Sequence, residues 1–296
     1  MQVEPAAFGL EHPLAAPFEE NYICVRGRRL PLDELVDPKA RSSTFVAEQA
    51  EAMRTADPFP HLVFDNLFNP LLLELVLEEF DTYGPAQWQN YRNDLENTIR
   101  SSSHEFGPAS QLYFNLVNSA MFVDFLSGVA GVPALIADAK LKNGGLHETR
   151  RGGKFGIHRD FDRHPVTGLN NEMVMLTYLN KEWDPKWGGA LELWTPKGTA
   201  AVRSIQPQFG RTLLMRHGPA SFHGHPNPLA SPEDKVRRSV ASYYYSNPSA
   251  AELTKNSRNT YFLAWDRKTS LARRVIRKVT PPIVRKALRM LVRGRA

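Results

Sequence analysis

"MVMLTYLNKEWDPKWGGALELWTPKGTAAVRSIQPQFGRTLLMR" spans residues 173–216. Four short runs, "MVMLTYLN", "ALELW", "AAVRSI" and "RTLLMR", are separated by Gly, Pro and Asn. Runs of that length bounded by turn residues read as strands. The pattern extends from about residue 134 to "RRSVASYYYS" at 237–246. Many short strands at this spacing predict a sandwich or jelly roll rather than a parallel sheet.

Helical signals lie mainly before this block. "NPLLLELVLEEFDTY" (69–83) opens on Asn followed by Pro, the preference of a helix N-cap and first turn. "STFVAEQAEAMR" (43–54) reads as a short helix capped by Ser43, and "ASQLYFNLVNSAMFVDFLSGVAG" (109–131) as a helix ending at glycine. "PFPHLVFDNLF" (58–68) alternates as a strand does, whereas the first forty residues show no period. The expected class is mainly β with flanking helices. The expected organisation is an irregular or helical N-terminal extension over 1–57, a main domain over 58–250 with its β-rich core at 134–247, and a C-terminal extension over 251–296.

Composition narrows the function classes. The chain of 296 residues is 42 % hydrophobic and 23 % charged, which is globular. Its single cysteine, Cys24, excludes an intrachain disulfide and a CxxC metal or redox site. No signal-peptide pattern and no run of eighteen apolar residues is found, so a soluble, cytoplasmic protein is expected. The net charge of +6 is local: eleven of 37 Lys/Arg lie in 267–296, which has no Asp/Glu, leaving 26 basic against 31 acidic residues elsewhere. Within that tail, "PPIVRKALRMLVRGR" (281–295) projects as a basic amphipathic helix, the kind that lies on anionic membrane or binds an acidic partner.

Two stretches carry candidate chemistry. "GIHRDFD" (156–162) contains His158-x-Asp160, whose side chains leave one strand on the same side. "SFHGHPNPL" (221–229) supplies a distal histidine, His223 or His225. Two His and one carboxylate leave three positions open on a metal, which is the facial arrangement that non-haem Fe(II) oxygenases use to take a bidentate 2-oxo acid and O₂. His225 lies between Gly224 and Pro226, where strand geometry is expected to be lost, so it reads as a turn residue near the mouth. His147, His164 and His217 read as hydrogen-bonded or solvent-facing residues.

At these blocks the chain resembles the prolyl 4-hydroxylase-like branch of the Fe(II)/2-oxoglutarate-dependent dioxygenases, and "YLNKEWDPKWGGALELW" is similar to the corresponding stretch of the hypoxia-type prolyl hydroxylases. The resemblance implies a double-stranded β-helix (jelly roll) core and Fe(II) held by His158, Asp160 and His223. It also implies 2-oxoglutarate and O₂ as co-substrates with ascorbate as a candidate reductant, and hydroxylation of an unknown small molecule or protein side chain. The co-substrate's distal carboxylate needs a cation, and Arg237 and Arg238 compete for that place. Strand parity groups Arg237 with Ser239, Ala241 and Tyr243, and the resemblance, which implies small or polar residues after the inward arginine and then a large aromatic, favours that set over the Arg238 set. Tyr178 matches a family tyrosine that helps hold the same carboxylate. Where the family often has a tyrosine about ten residues before the His-x-Asp, this chain has "HETRRGG" (147–153). Gly188 and Gly189 are expected in a tight turn. Two other classes stay open, a jelly-roll binding module without catalysis and a membrane- or nucleic-acid-associated protein acting through 267–296.

Overall fold

The computed structural model describes residues 21–101, 106–254 and 256–263. The basic tail, and with it the amphipathic-helix reading, lies outside the described residues. The chain begins with a hairpin of β1 (Tyr22–Val25) and β2 (Arg28–Pro31), then α1 (Ser43–Thr55), β3 (His61–Asp65) and α2 (Pro70–Glu79). A second hairpin, β4 (Gln89–Arg92) and β5 (Glu96–Ser101), precedes α3 (Pro108–Val117) and α4 (Ala120–Ala130). The β-rich part runs through β6 (Ile136–Ala137), β7 (Gly145–Thr149), β8 (Lys154–Arg159), β9 (Asn170–Tyr178), β10 (Leu191–Trp194), β11 (Ala201–Ile205), β12 (Arg211–Arg216), β13 (His223–His225) and β14 (Arg237–Ser246). It ends with α5 (Ala250–Leu253) and β15 (Tyr261–Phe262).

Local chemistry explains most helix ends, with two departures from expectation. Asn69 caps α2, its side-chain oxygen accepting from Leu71 N–H at 2.9 Å, ahead of Pro70. Ser42, not Ser43, caps α1, accepting from Phe45 N–H at 3.4 Å; of two adjacent serines, the one left in extended backbone takes the role. The expected single helix over 109–131 is two, bent by 49°. Ser119 is extended and its hydroxyl accepts from Phe122 N–H, so α4 starts with its own cap although the apolar pattern is continuous. The first forty residues, expected to be irregular, contain the β1–β2 hairpin, whose Val25 and Leu30 enter the main core.

The large sheet is antiparallel and curled, in the order β11-β10-β13-β8-β5-β7-β14-β9-β12-β3, with β15 and β4 added beside β8 and β5. This is a jelly-roll core with helices against its outer face. Alternation divides its side chains between two buried surfaces. Met173, Met175, Val240 and Tyr244 pack outward in the core that holds the four long helices. Val174, Tyr178, Leu213, Met215, Tyr243 and Tyr245 form a smaller cluster inside the curl. Pairing of β14 with β9 sets Ser239 opposite Tyr178 and Tyr243 opposite Val174, so the odd-numbered side chains of β14 face inward.

One close approach positions the site. His223 pairs with His158 across β13 and β8, and a register shift then sets His225 opposite Phe155. A Cβ on Gly224 would stand 2.7 Å from the Gly156 oxygen and 2.8 Å from the Phe155 oxygen, so β13 can lie this close only with glycine there. Gly224→Ala is expected to force the strands apart and cost about 1–3 kcal/mol, the usual range for overpacking. A lower urea midpoint at unchanged m-value would show it. Wild-type stability would mean that the strands have slack at this point.

Candidate active site

Inside the curl is a cavity of about 240 Å³ whose wall includes His158, Asp160 and His223. One ligand atom from each of these residues lies within 4.8 Å of the others. His158 Nε2 is 3.5 Å from Asp160 Oδ1, and His223 Nε2 is 3.8 Å from Asp160 Oδ2. The two rings are 4.4 Å apart at their centroids.

Backbone carbonyls fix the tautomers. His158 Nδ1–H donates to the Gly156 carbonyl at 2.8 Å, and His223 Nδ1–H to the Ser221 carbonyl at 2.9 Å. A carbonyl can only accept, so both Nε2 lone pairs are left toward Asp160, as metal-binding imidazoles require. Burial, reinforced by neighbouring His158, lowers the His223 pKa to about 4, so the ring is neutral near pH 7. Burial pushes the Asp160 carboxyl up, but the histidines around it outweigh burial and hold the group well below the carboxylate range. Tyr243 O–H donates to Asp160 Oδ2 at 3.4 Å, and His217 Nδ1 stands 3.7 Å from the same oxygen. The donor set, two imidazoles and one carboxylate on one side, fits a divalent ion with open positions.

The other predicted residues separate. Arg237 is buried in the cavity wall, and its Nε–H donates to the Gly189 carbonyl at 2.7 Å. Its guanidinium has no carboxylate partner among the described residues. Gly189 has φ +76, and a Cβ there would come within 2.7 Å of Leu229 and 3.0 Å of Arg237, so its glycine character makes the seat for the guanidinium. Arg238 points to the opposite face, where it pairs with Glu148 at 2.9 Å and with Asp81. Tyr178 is not among the residues lining the cavity: its ring lies against Arg237, 5.1 Å from the guanidinium carbon, and its buried hydroxyl is turned to the same guanidinium.

Among the remaining histidines, His225 is a correction to the turn reading. It is buried within β13, lines the cavity, and carries an unpartnered Nδ1. The register shift lets β13 continue past Gly224, so the strand does not end at His223. His147 also lines the cavity, with Nε2 3.1 Å from the Asn143 carbonyl. His164 Nδ1 accepts from the Val166 and Thr167 N–H groups at 3.2 and 3.0 Å, away from the triad.

Sequence reasoning missed one wall. On β5, Glu96, Thr98 and Arg100 share a face and line the cavity, with Tyr91 of β4 beside them. Their only signal in the sequence was polar residues at a spacing of two, which reads equally well as a solvated strand.

Residues 144–245 match the family model described as the 2OG-Fe(II) oxygenase superfamily. No curated protein matches the sequence. Among solved structures, the chain is similar in fold to a Pseudomonas putida prolyl-4-hydroxylase, with TM-score 0.52 and 13 % identity, over 69 % of this chain and 100 % of that one. A prolyl hydroxylase from Trichoplax adhaerens, solved with a hypoxia inducible factor peptide fragment, aligns at TM-score 0.49 and 16 % identity, over 74 % of this chain and 95 % of that one.

Burial, with the fields of Arg100 and Arg237 adding to it, lowers the His147 pKa to about 3. In the unfolded chain an ordinary histidine takes up its proton near pH 6.5. Between these values the unfolded state binds more protons, so stability falls as pH drops, by at most about 1.4 kcal/mol per pH unit for each such group. Urea unfolding of the metal-free protein from pH 7.5 to 4.5 is expected to show this slope, and His147→Gln to reduce it. An unchanged slope in the variant would show that His147 is not held neutral.

Proposed function

We propose that this chain, a 2OG-Fe(II) oxygenase by the match over its β core, hydroxylates an unactivated C–H bond of a small substrate, with His158, Asp160 and His223 as the iron ligands and Arg237 as the seat of 2-oxoglutarate. In the overall reaction substrate C–H, 2-oxoglutarate and O₂ give substrate C–OH, succinate and CO₂. The observation that carries the reading is the buried Arg237 guanidinium in the same cavity as the triad, without an anionic partner among the described residues. A buried unpaired cation is costly, and a ligand carboxylate is what would compensate it.

Iron, when bound, would supply the open positions for the 2-oxo acid and dioxygen and the activation of dioxygen, the oxidant, toward the C–H bond. The rest is done by the chain. Gly156 and Ser221 hold the two imidazoles with Nε2 free, and Asp160 contributes the one negative charge among the three ligands. Gly189 anchors the Arg237 fork from one side while the Tyr178 ring backs it from another. His225, next to Arg237 in the wall, offers its unpartnered nitrogen to the same ligand. Phe155 lies 4.0 Å from the His158 ring and Phe262 of β15 5.3 Å from it, so apolar surface excludes water behind the ligands.

His158→Ala and Asp160→Ala are each expected to abolish Fe(II)-dependent succinate formation from 2-oxoglutarate. Full turnover by either variant with iron as the sole metal would remove the triad from the chemistry.

Arg237→Ala is expected to raise the KM for 2-oxoglutarate about tenfold or more, as follows from losing a charged hydrogen bond of ~1.5–3 kcal/mol. Arg238→Ala removes a partner of the buried Glu148 carboxylate and should lower thermal stability with little change in that KM. Saturation curves and melting curves for both variants decide between the two arginines, and a selective KM defect in Arg238→Ala would reverse the assignment.

A further inference from the structure

The cavity wall beside the triad carries a pair of opposite charges on the strand next to β8. Strand β5 bridges β7 and β8, with Arg100 opposite His147 and Glu96 opposite Phe155. Its alternation therefore hangs Glu96, Thr98 and Arg100 into the cavity. The Arg100 guanidinium pairs with Glu96 and is flanked by two rings, 4.4 Å from the Tyr91 centroid and 5.3 Å from that of Phe155. Phe155 in turn lies against His158, so the pair and the candidate metal centre border one small space.

The pairing leaves much of both groups unused. A single guanidinium nitrogen meets a single carboxylate oxygen, Oε1, which also accepts from the Thr98 hydroxyl at 2.8 Å. A guanidinium has five donors in a fork and a carboxylate about four acceptor sites, so both can take a ligand group beside the existing contact. As structure alone the pair is poorly motivated, because a buried ion pair rarely stabilises more than apolar residues of the same volume would.

Charge balance says what kind of ligand fits. Among the described residues the charged ones of the wall are Glu96, Asp160, Arg100 and Arg237, two of each sign. Adding a divalent cation and a 2-oxoglutarate dianion keeps the sum at zero, so a buried substrate without net charge disturbs it least. Size adds a second limit. At about 240 Å³ the cavity lies below the range of about 300–1,000 Å³ for drug-sized ligands, and 2-oxoglutarate takes part of it.

We propose that Glu96 and Arg100 form the recognition pair for a small zwitterionic substrate, a free α-amino acid, whose ammonium is held by Glu96 and whose carboxylate is held by the Arg100 fork. This rests on the hydroxylase reading above. Tyr91 and Phe155 keep the fork planar against the cavity wall, and Thr98 steadies the carboxylate of Glu96. Capping either end of the amino acid leaves one member of the pair facing an uncharged group, which is how the site rejects residues within a peptide chain.

The test is calorimetric titration of the full-length protein, loaded with Fe(II) and 2-oxoglutarate under anaerobic conditions, with each of the twenty common L-amino acids and their N-acetyl and carboxamide derivatives. At least one free amino acid is expected to bind, with each cap weakening it tenfold or more. Glu96→Gln should shrink the N-acetyl penalty below about threefold and keep the carboxamide penalty, and Arg100→Gln should do the reverse. Binding of no free amino acid, equal binding of capped and free forms, or both penalties intact in both variants would overturn the proposal. The comparison of caps on the wild-type protein stands even if a variant fails to fold. Iron-dependent binding of 2-oxoglutarate without amino acid is measured in parallel. Its failure would count against the hydroxylase reading, whereas its success without amino-acid binding would sink this inference alone.

Discussion

The distance between β8 and β13 is the constraint on which the site depends. The two strands bring His158 and His223 opposite each other, and the absence of a side chain at Gly224 lets the backbones approach as closely as they do. Because strand side chains alternate, a slip of one residue would turn His223 away from the cavity and leave Asp160 facing one imidazole. The register shift past Gly224 has a second effect. It spends three residues of β8 against two of β13, so Phe155 as well as His158 lines the cavity, while ordinary alternation keeps His223 and His225 on one face.

Stability and chemistry are assigned to different faces of one sheet. The outward side chains pack with the helices into a core of Leu, Phe and Val, and burial of that area is the favourable term for folding. The inward face can then hold groups that contribute little to stability. Arg237 is seated by a backbone carbonyl and has no carboxylate against it among the described residues, while Arg238, one residue on, pairs with Glu148 and Asp81 on the outer side. Two adjacent residues of one type thus do opposite work, one left unsatisfied for a ligand and the other satisfied within the protein.

How much of this could be read beforehand follows from which signals are one-dimensional. Strand identity over 173–246 was legible because turn residues punctuate apolar runs, and the His-x-Asp with a distal histidine was legible because that chemistry needs particular residue types. Parity on β14 linked Arg237 with Ser239 and Tyr243, which line the cavity with it. The Ser42 cap and the break at Ser119 were not legible, since adjacent serines cap equally well on paper and the apolar period runs through residues 118–119 unbroken. His225 was misread because Gly before it and Pro after it usually end a strand, and nothing in one dimension announces a register shift between neighbours.

The β4–β5 hairpin escaped for a more general reason. Patterning rules assume that the buried face of a strand is apolar, and "ENTIRS" (96–101) inverts this by turning Glu96, Thr98 and Arg100 inward, the first two buried. Such an inversion would be destabilising in a core, where unsatisfied polar groups cost more than they return. It is tolerable where the strand's backbone completes a sheet between two neighbours and its side chains meet a cavity and one another. An inward-facing polar strand that pairs on both sides therefore marks the edge of a binding space more directly than any apolar pattern could, and in this chain that strand lies in the sheet between β8, which carries His158, and β7, which pairs with the strand of Arg237.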